Sequence, residues 1–411
     1  MPTALRTLLR AALVAVIAGC ALLAPTGAFA ADKIILKDGR VLEGELGREG
    51  ETFIFITIEV GGVKQQQLIL KETIDRIERD ADAPDGPAKT NPRDDAEKQK
   101  RLIDSGATKI AFITLGDPPH DMVGPYMNAD ALRESVKLLE DDDPDIVVLW
   151  VSSGGGALSE IPRLRDVIVR DIKPDYRTVV WVESAISAAA MTSITVEEIY
   201  FMSKGNFGAA VAFRSDGQTA ESMQGDELEG VLRFGEELSR EGNHDPLIMR
   251  AMQTETDLSC DIDEYGRVTW RNDLQGQHIV SAGGRILTFN ALDARKYGLS
   301  RGTADTKEDL ALLLQAGEWV EVGQDAEAEM QKFRDNVARA EVEIGEAFQK
   351  MQIALQAGET GRARRYLGEL RSWARRAPSW TVYSAGGVPP LNDQFFREME
   401  RQIDQARRGG R

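Results

Sequence analysis

From Ile103 to Gly317, short apolar runs alternate with amphipathic stretches. KIAFITLG, DIVVLWVSS and RTVVWVES are rich in β-branched residues and too short for helices, so each predicts a buried strand. Between them, ADALRESVKLLEDDD puts Leu132, Val136 and Leu139 on one helical face, and ALSEIPRLRDVIVRDI predicts a second helix. A third helix is expected from about Ser187, leading into the strand EIYFMS. This alternation predicts an α/β domain, residues 103–317, with a mainly parallel sheet and helices on its faces.

The patterns on either side differ. Residues 31–79 alternate apolar and polar positions around the Asp38-Gly39 turn and the VGGV connection, predicting five short strands in a small closed β-barrel. The opening LKDGRVLEGEL resembles the Sm-like barrels. Residues 80–102 are polar, contain three prolines and lack periodicity, which marks a linker. After Gly317, Met330, Phe333, Val337, Ala340, Ile344, Phe348, Met351 and Leu355 form one stripe that stops at Gly358. A second helix over 361–376 and a third from near Asn392 complete a helical tail, 318–411. Its stripe reads as the seam of a helical hairpin or as a partner contact.

Charge and targeting signals narrow the function. The 411-residue chain has a formal net charge of -17, which argues against nucleic acid as a partner. For the N-terminal strands it favours a packing or assembly module. Residues 1–30 read as a signal peptide: Arg6 and Arg10, an apolar run from Ala11 to Ala24, then the small-residue site AFA. Export to the periplasm or cell envelope is therefore expected. IAGC, ending at Cys20, also resembles a lipoprotein processing site, so a lipid anchor is the alternative to cleavage after Ala30. If the leader is removed, Cys260 is left without a disulfide partner in the chain.

Three segments fall at the carboxyl ends of predicted strands, where ligands meet a parallel sheet. In SSGGG, Ser152 to Gly156, glycines allow a sharp bend that turns backbone amides outward. Ser187 stands at the start of a helix among Ala185, Ala188, Ala189 and Ala190, where the free amide of Ala188 and the positive helix end favour developing negative charge. It reads either as a nucleophile or as an ordinary helix cap. GNFGAA, Gly205 to Ala210, is suited to a wall beside the site.

The order strand–SxGG–helix, strand–xxSA–helix, strand–xxxxGAA resembles the Clp protease/crotonase fold. Within it, the chain is most similar to exported Clp-class serine proteases of the signal peptide peptidase and NfeD-type groups. GGRILTFNALDARKYGLSRGTADTKEDL looks like the late segment of NfeD-type proteins. The resemblance covers residues 107–316. It implies Ser187 as nucleophile and the amides of Gly154, Gly155 and Ala188 as an oxyanion hole. It also implies a lysine base on the segment Met223–Glu227, where this chain has no lysine; none occurs between Lys204 and Lys296. NfeD-type proteins commonly continue into membrane helices, and here a polar helical tail follows instead.

A serine hydroxyl is a poor nucleophile without a base, and arginine does not surrender its proton, so Arg233 and Arg240 are no substitutes. The resemblance makes His244 the best base candidate, because the Clp branch of the fold uses Ser-His-Asp; a base donated by a neighbouring subunit is the alternative. His120 is placed to line the mouth of the site, His278 reads as structural and Lys204 as a solvated charge. EDDDPD, Glu140 to Asp145, reads as a helix end, and CDIDEYGRVTW as a hairpin; neither has the spacing of a metal site. No cofactor is expected. The expectation is a serine peptidase-like hydrolase acting on peptides or proteins and assembling as a homo-oligomer. The alternative is a ClpP-like scaffold or peptide-binding protein without catalysis.

Overall fold

The computed structural model describes residues 32–37, 41–49, 53–60, 63–71, 74–78, 99–215 and 220–409. The expected signal peptide with Cys20, the Asp38-Gly39 turn, the two glycines of VGGV and most of the linker lie outside them. The chain divides into two units, Met1–Asp95 and Ala96–Arg411.

In the first unit, β1 (Asp32–Leu36), β2 (Val41–Glu49), β3 (Phe53–Val60), β4 (Val63–Leu70) and β5 (Ile74–Glu78) form one antiparallel sheet in the order β4-β3-β2-β1-β5. The last strand returns to pair with the first. Alternate positions Ile34 and Leu36 are buried and pack with Leu42, Ile69, Ile74 and Ile77, as period-2 patterning requires.

The second unit is built on an eight-stranded sheet. β6 (Thr108–Leu115), β7 (Ile146–Ser153) and β8 (Arg177–Ile186) are parallel neighbours. Beyond β8 the sheet forks. The first half of β8 pairs with β9 (Glu198–Phe201), and its last residues pair with β10 (Asn206–Gly208). A hairpin, β11 (Phe213–Ser215) and β12 (Ala220–Ser222), follows. An insertion folds as a three-stranded antiparallel sheet: β13 (Leu258–Ile262), β14 (Val268–Arg271) and β15 (His278–Ser281). CDIDEYGRVTW is therefore a hairpin, as its pattern predicts. β16 (Thr288–Asn290) pairs antiparallel with β10, β17 (Gly302–Thr303) pairs with β9, and β18 (Trp319–Val322) with β6.

Alternation along the strands serves two faces. Ala111, Ile113, Val147, Leu149, Val180 and Val182 join the core under α1 (Ala129–Lys137), α2 (Ile161–Val167) and α3 (Ala188–Ser193). Ile110, Phe112, Val148, Val179 and Trp181 pack on the other face against Leu310, Ala311 and Leu314. The apolar continuity that marks these strands reflects burial on both sides. The helix expected over ALSEIPRLRDVIVRDI is divided: a tight turn at Leu158–Glu160, then α2 with Pro162 in its first turn, then a wide turn at Ile168–Ile172. Proline has no amide to continue a helix begun before it, so it falls where none is needed. Further along come α4 (Gly225–Glu241), α5 (Pro246–Gln253), α6 (Ala291–Lys296) and α7 (Lys307–Leu313).

The tail consists of α8 (Gln324–Gln356), α9 (Thr360–Arg376) and α10 (Asp393–Gly409). Its apolar stripe is covered within the chain. Met330 packs into the sheet core, while Val337, Ala340, Ile344 and Met351 pack with residues of α9 and α10. A buried clamp fixes α8 to the sheet. Arg334 donates to the Thr114 carbonyl at 2.7 Å and pairs with Glu327 at 3.2 Å, and Glu327 accepts from the Thr114 amide at 2.7 Å. Among the described residues, no helix is long and apolar enough to cross a membrane.

Candidate active site

Ser187 joins β8 to α3 with φ 57° and ψ -122°. Side-chain-bearing residues rarely adopt such a backbone, which costs about 1–3 kcal/mol and persists only where the surroundings enforce it. Here they do. The Ser187 amide donates to the Gly208 carbonyl at 2.8 Å, and its carbonyl accepts from Met191 at 3.1 Å. On the far side, the buried Ala188, Ala189 and Ala190 draw the chain straight back into the core. The turn belongs to a strand-to-helix elbow.

The serine does not act as a cap, because its side chain makes no capping hydrogen bond to the helix. Space for it comes from Gly155, where a Cβ would stand 2.5 Å from Ser187 Cβ. Ala209, at φ 46°, is a second strained residue in the wall segment beside Gly208. Strain gathers where β8 and β10 end.

The triple glycine is divided in its roles. Gly154 donates its amide to Asp121 Oδ2 at 2.7 Å, and Gly155 donates to Ser153 Oγ at 3.1 Å. Ser153 in turn donates to the Asp121 carbonyl at 2.6 Å. The expected oxyanion donors Gly154 and Gly155 are thus engaged within the bend. The amides of Gly156 and Ala188 have no hydrogen-bond partner among the described residues. Gly156 is placed by a bridge to Val123, whose amide and carbonyl bond Gly155 and Ala157, each at 2.9 Å.

A cavity of about 510 Å³ brings Ser187, Gly156 and Ala188 together. Met191, Ala210 and Ala212 are among its apolar walls, and Tyr383 of the tail completes it. Among the described residues that line it, none is a lysine, histidine, aspartate or glutamate. Burial and the Glu160 carboxylate push the Tyr383 phenol above its ordinary range, so it stays protonated and donates to Glu160 at 2.7 Å.

The structure does not bring His244 to this cavity. Its Nε2 bonds the Val196 carbonyl at 2.9 Å, beyond the far end of α3 from Ser187. A carbonyl only accepts, so Nε2 carries the proton. Burial holds the imidazole below its ordinary pKa, against the opposing effect of that bond. His120 packs on the Tyr126 ring at 5.1 Å, and His278 pairs across strands with Cys260. Lys204 is exposed, while Arg233 and Arg240 pair with Glu229 and Glu236 on the surface of α4.

The segment in which the family resemblance implies a lysine does run beside the cavity. Met223 donates its amide to the Ala212 carbonyl at 3.0 Å, and Ala212 is a lining residue. That place is held by Met223 and Gln224. Among the described residues, no group of three or more histidine, cysteine, aspartate or glutamate side chains is arranged to hold a metal.

No family model and no curated protein matches the sequence. Among solved structures, an alanine variant of the 1510-N membrane-bound stomatin-specific protease is 14% identical. That likeness covers 50% of this chain and 84% of the other, with a TM-score of 0.37. Another variant, in complex with a substrate peptide, is 15% identical over 50% of this chain and 78% of its own, also at 0.37. The 1510-N membrane protease specific for a stomatin homolog from Pyrococcus horikoshii gives 12%, 50%, 78% and 0.33. At these values the likeness says nothing of this chain's activity.

Sequence reasoning missed Asp121, Glu160 and Tyr383, and within the SSGGG bend it gave the oxyanion role to Gly154 and Gly155 rather than Gly156. Of the three missed residues only Tyr383 carried a local signal. The loop SWTVYSAGGVPP, with two aromatics and a Gly-Gly turn, interrupts an otherwise polar helical tail.

Proposed function

We propose that the protein is an exported serine peptidase-like hydrolase of the ClpP/crotonase type, near the NfeD-type and signal peptide peptidase groups. It acts on peptides or proteins in the cell envelope. The Ser187 elbow carries this reading: a hydroxyl free of capping, on a backbone held at φ 57°, lining a cavity beside two amides without a partner among the described residues. In the reaction, Ser187 Oγ attacks the scissile carbonyl carbon, and the amides of Gly156 and Ala188 donate to the oxygen as it becomes negative. The serine loses its proton as the C–O bond forms. The amine gains one as the C–N bond breaks. The described lining residues offer no lysine, histidine or carboxylate, and a second copy of the chain would supply the proton acceptor. The N-terminal strands form an Sm-like module for packing or assembly of a homo-oligomer. Membrane attachment comes only through the leader or a lipid on Cys20.

The missing base favours a second reading, in which the cavity binds peptide without turnover. Labelling with a fluorophosphonate probe separates the two. The hydrolase reading expects labelling of the wild type and at least about a hundredfold less in Ser187→Ala. Equal labelling of both overturns the nucleophile assignment. No labelling of either, with unchanged thermal melts, selects the peptide-binding reading.

A further inference from the structure

The C-terminal helical region reaches the Ser187 cavity. Val382, Tyr383 and Ser384, in the loop between α9 and α10, line it together with Ser187. Tyr383 is held at both its hydroxyl and its ring. The hydroxyl donates to Glu160, a carboxylate only 1% exposed, which also accepts from the Ala129 amide at 2.8 Å and from Arg163 at 2.9 Å. The ring lies over Gly124, where a Cβ would stand 2.7 Å from Tyr383 Cζ. That glycine leaves the room that the ring fills. The loop is fastened elsewhere too. Trp380 donates to the Val337 carbonyl at 3.1 Å and meets Tyr126 edge-on at 5.9 Å, while Tyr126 bonds Glu341. Val382 is different: it lines the cavity yet is 60% exposed, so its side chain meets solvent and cavity together.

We infer that Tyr383 and Val382 limit the bulk of the side chain that the cavity admits beside Ser187. They are specificity-determining residues supplied by the helical region rather than by the sheet. The inference rests on the hydrolase reading for the peptide nature of the substrate. The described lining residues carry no formal charge, which favours an uncharged side chain, because an unpaired charge there would lose its hydration without compensation. A wall anchored on a buried carboxylate has a fixed position, and a fixed wall can sort side chains by size.

The test reads access to position 187 without relying on catalysis. In the full-length Ser187→Cys variant, a thiol replaces the hydroxyl, and mildly alkaline buffer ionises it without a protein base. Its alkylation rates with iodoacetamide and with the much larger N-(1-pyrenyl)maleimide are followed by peptide mass spectrometry, which separates the site from Cys20 and the buried Cys260. Adding Tyr383→Ala is expected to raise the bulky-to-small rate ratio about tenfold, and adding Val382→Trp to lower it by a similar factor. Tyr383→Phe keeps the ring and leaves the ratio unchanged. The exposed Val382→Trp variant decides the question even where Tyr383→Ala does not fold. An unchanged ratio in Val382→Trp overturns the inference, as does a folded Ser187→Cys protein that iodoacetamide cannot alkylate. The hydrolase reading fails on a different result, fluorophosphonate labelling that persists in Ser187→Ala, so the two failures are distinguishable.

Discussion

Two helix starts in the core use their first polar residue in opposite ways. At α1, Asn128 has extended backbone, φ -126° and ψ 136°, and its side chain accepts from the amides of Asp130 at 3.0 Å and Ala131 at 3.4 Å. Its own amide group donates to the Gly124 carbonyl at 2.9 Å, and Glu160 accepts from Ala129. The free amides of that helix end are consumed by architecture, as a stable N-terminus requires. At α3, Ser187 has a strained backbone, no capping bond and an unpartnered Ala188 amide next to it. A helix end left unsatisfied beside a cavity has stability traded for availability. This difference, more than the presence of a serine, separates a candidate site from an ordinary turn.

The contrast can be broken by mutation. The largest effect is expected at Gly155→Ala: the new methyl would meet Ser187 Cβ at 2.5 Å on a backbone at φ 99°, costing about 3 kcal/mol in chemical denaturation. Tolerance of alanine there would show that the elbow has room to relax. Next, Asn128→Ala is expected to cost about 2 kcal/mol, because it removes a buried cap and one donated bond. Ser187→Ala removes no cap and is expected to stay within about 0.5 kcal/mol of the wild type. Equal losses at the two positions would erase the distinction drawn above. Ser187→Gly relieves the positive φ and is expected to stabilise the unit by about 1 kcal/mol, read as a higher melting temperature.

The smallest effect concerns His244, behind the other end of α3. Burial holds its folded pKa below that of an ordinary imidazole, so the unfolded chain binds the proton more readily. The contribution to stability is full above about pH 6.5 and is lost as the pH falls below it, toward the depressed folded value. Melting temperatures taken at descending pH should fall less in His244→Gln than in the wild type. An identical slope in both would show that the imidazole stays out of the acid response.

Much of the sheet was legible. β6, β7 and β8 are short, β-branched and apolar on both faces, and few other structures use such runs. The tail helices were legible too: the first from a 3.6-residue stripe and the Gly358 stop, the second from its end before Pro378, the third from its start near Asn392. What covers that stripe was not, because periodicity identifies an apolar face without naming its partner. The elbow at Ser187 could be located from its small neighbours, but its φ depends on the hydrogen bond to Gly208, on another strand. The division of labour among Gly154, Gly155 and Gly156 also escaped a local reading. Which amide stays free depends on Asp121 and Val123, more than thirty positions earlier. Tyr383 lies still further from the residues that it walls in.

That last placement bears on biosynthesis. A ribosome finishes Ser187 and its glycine bend nearly half the chain before it reaches Tyr383, so until then the nascent pocket lacks the residues that wall one side of it. Any chain cut short ahead of residue 380, by premature termination or by a nick in the tail, would carry the serine without the side chain that bounds its neighbourhood.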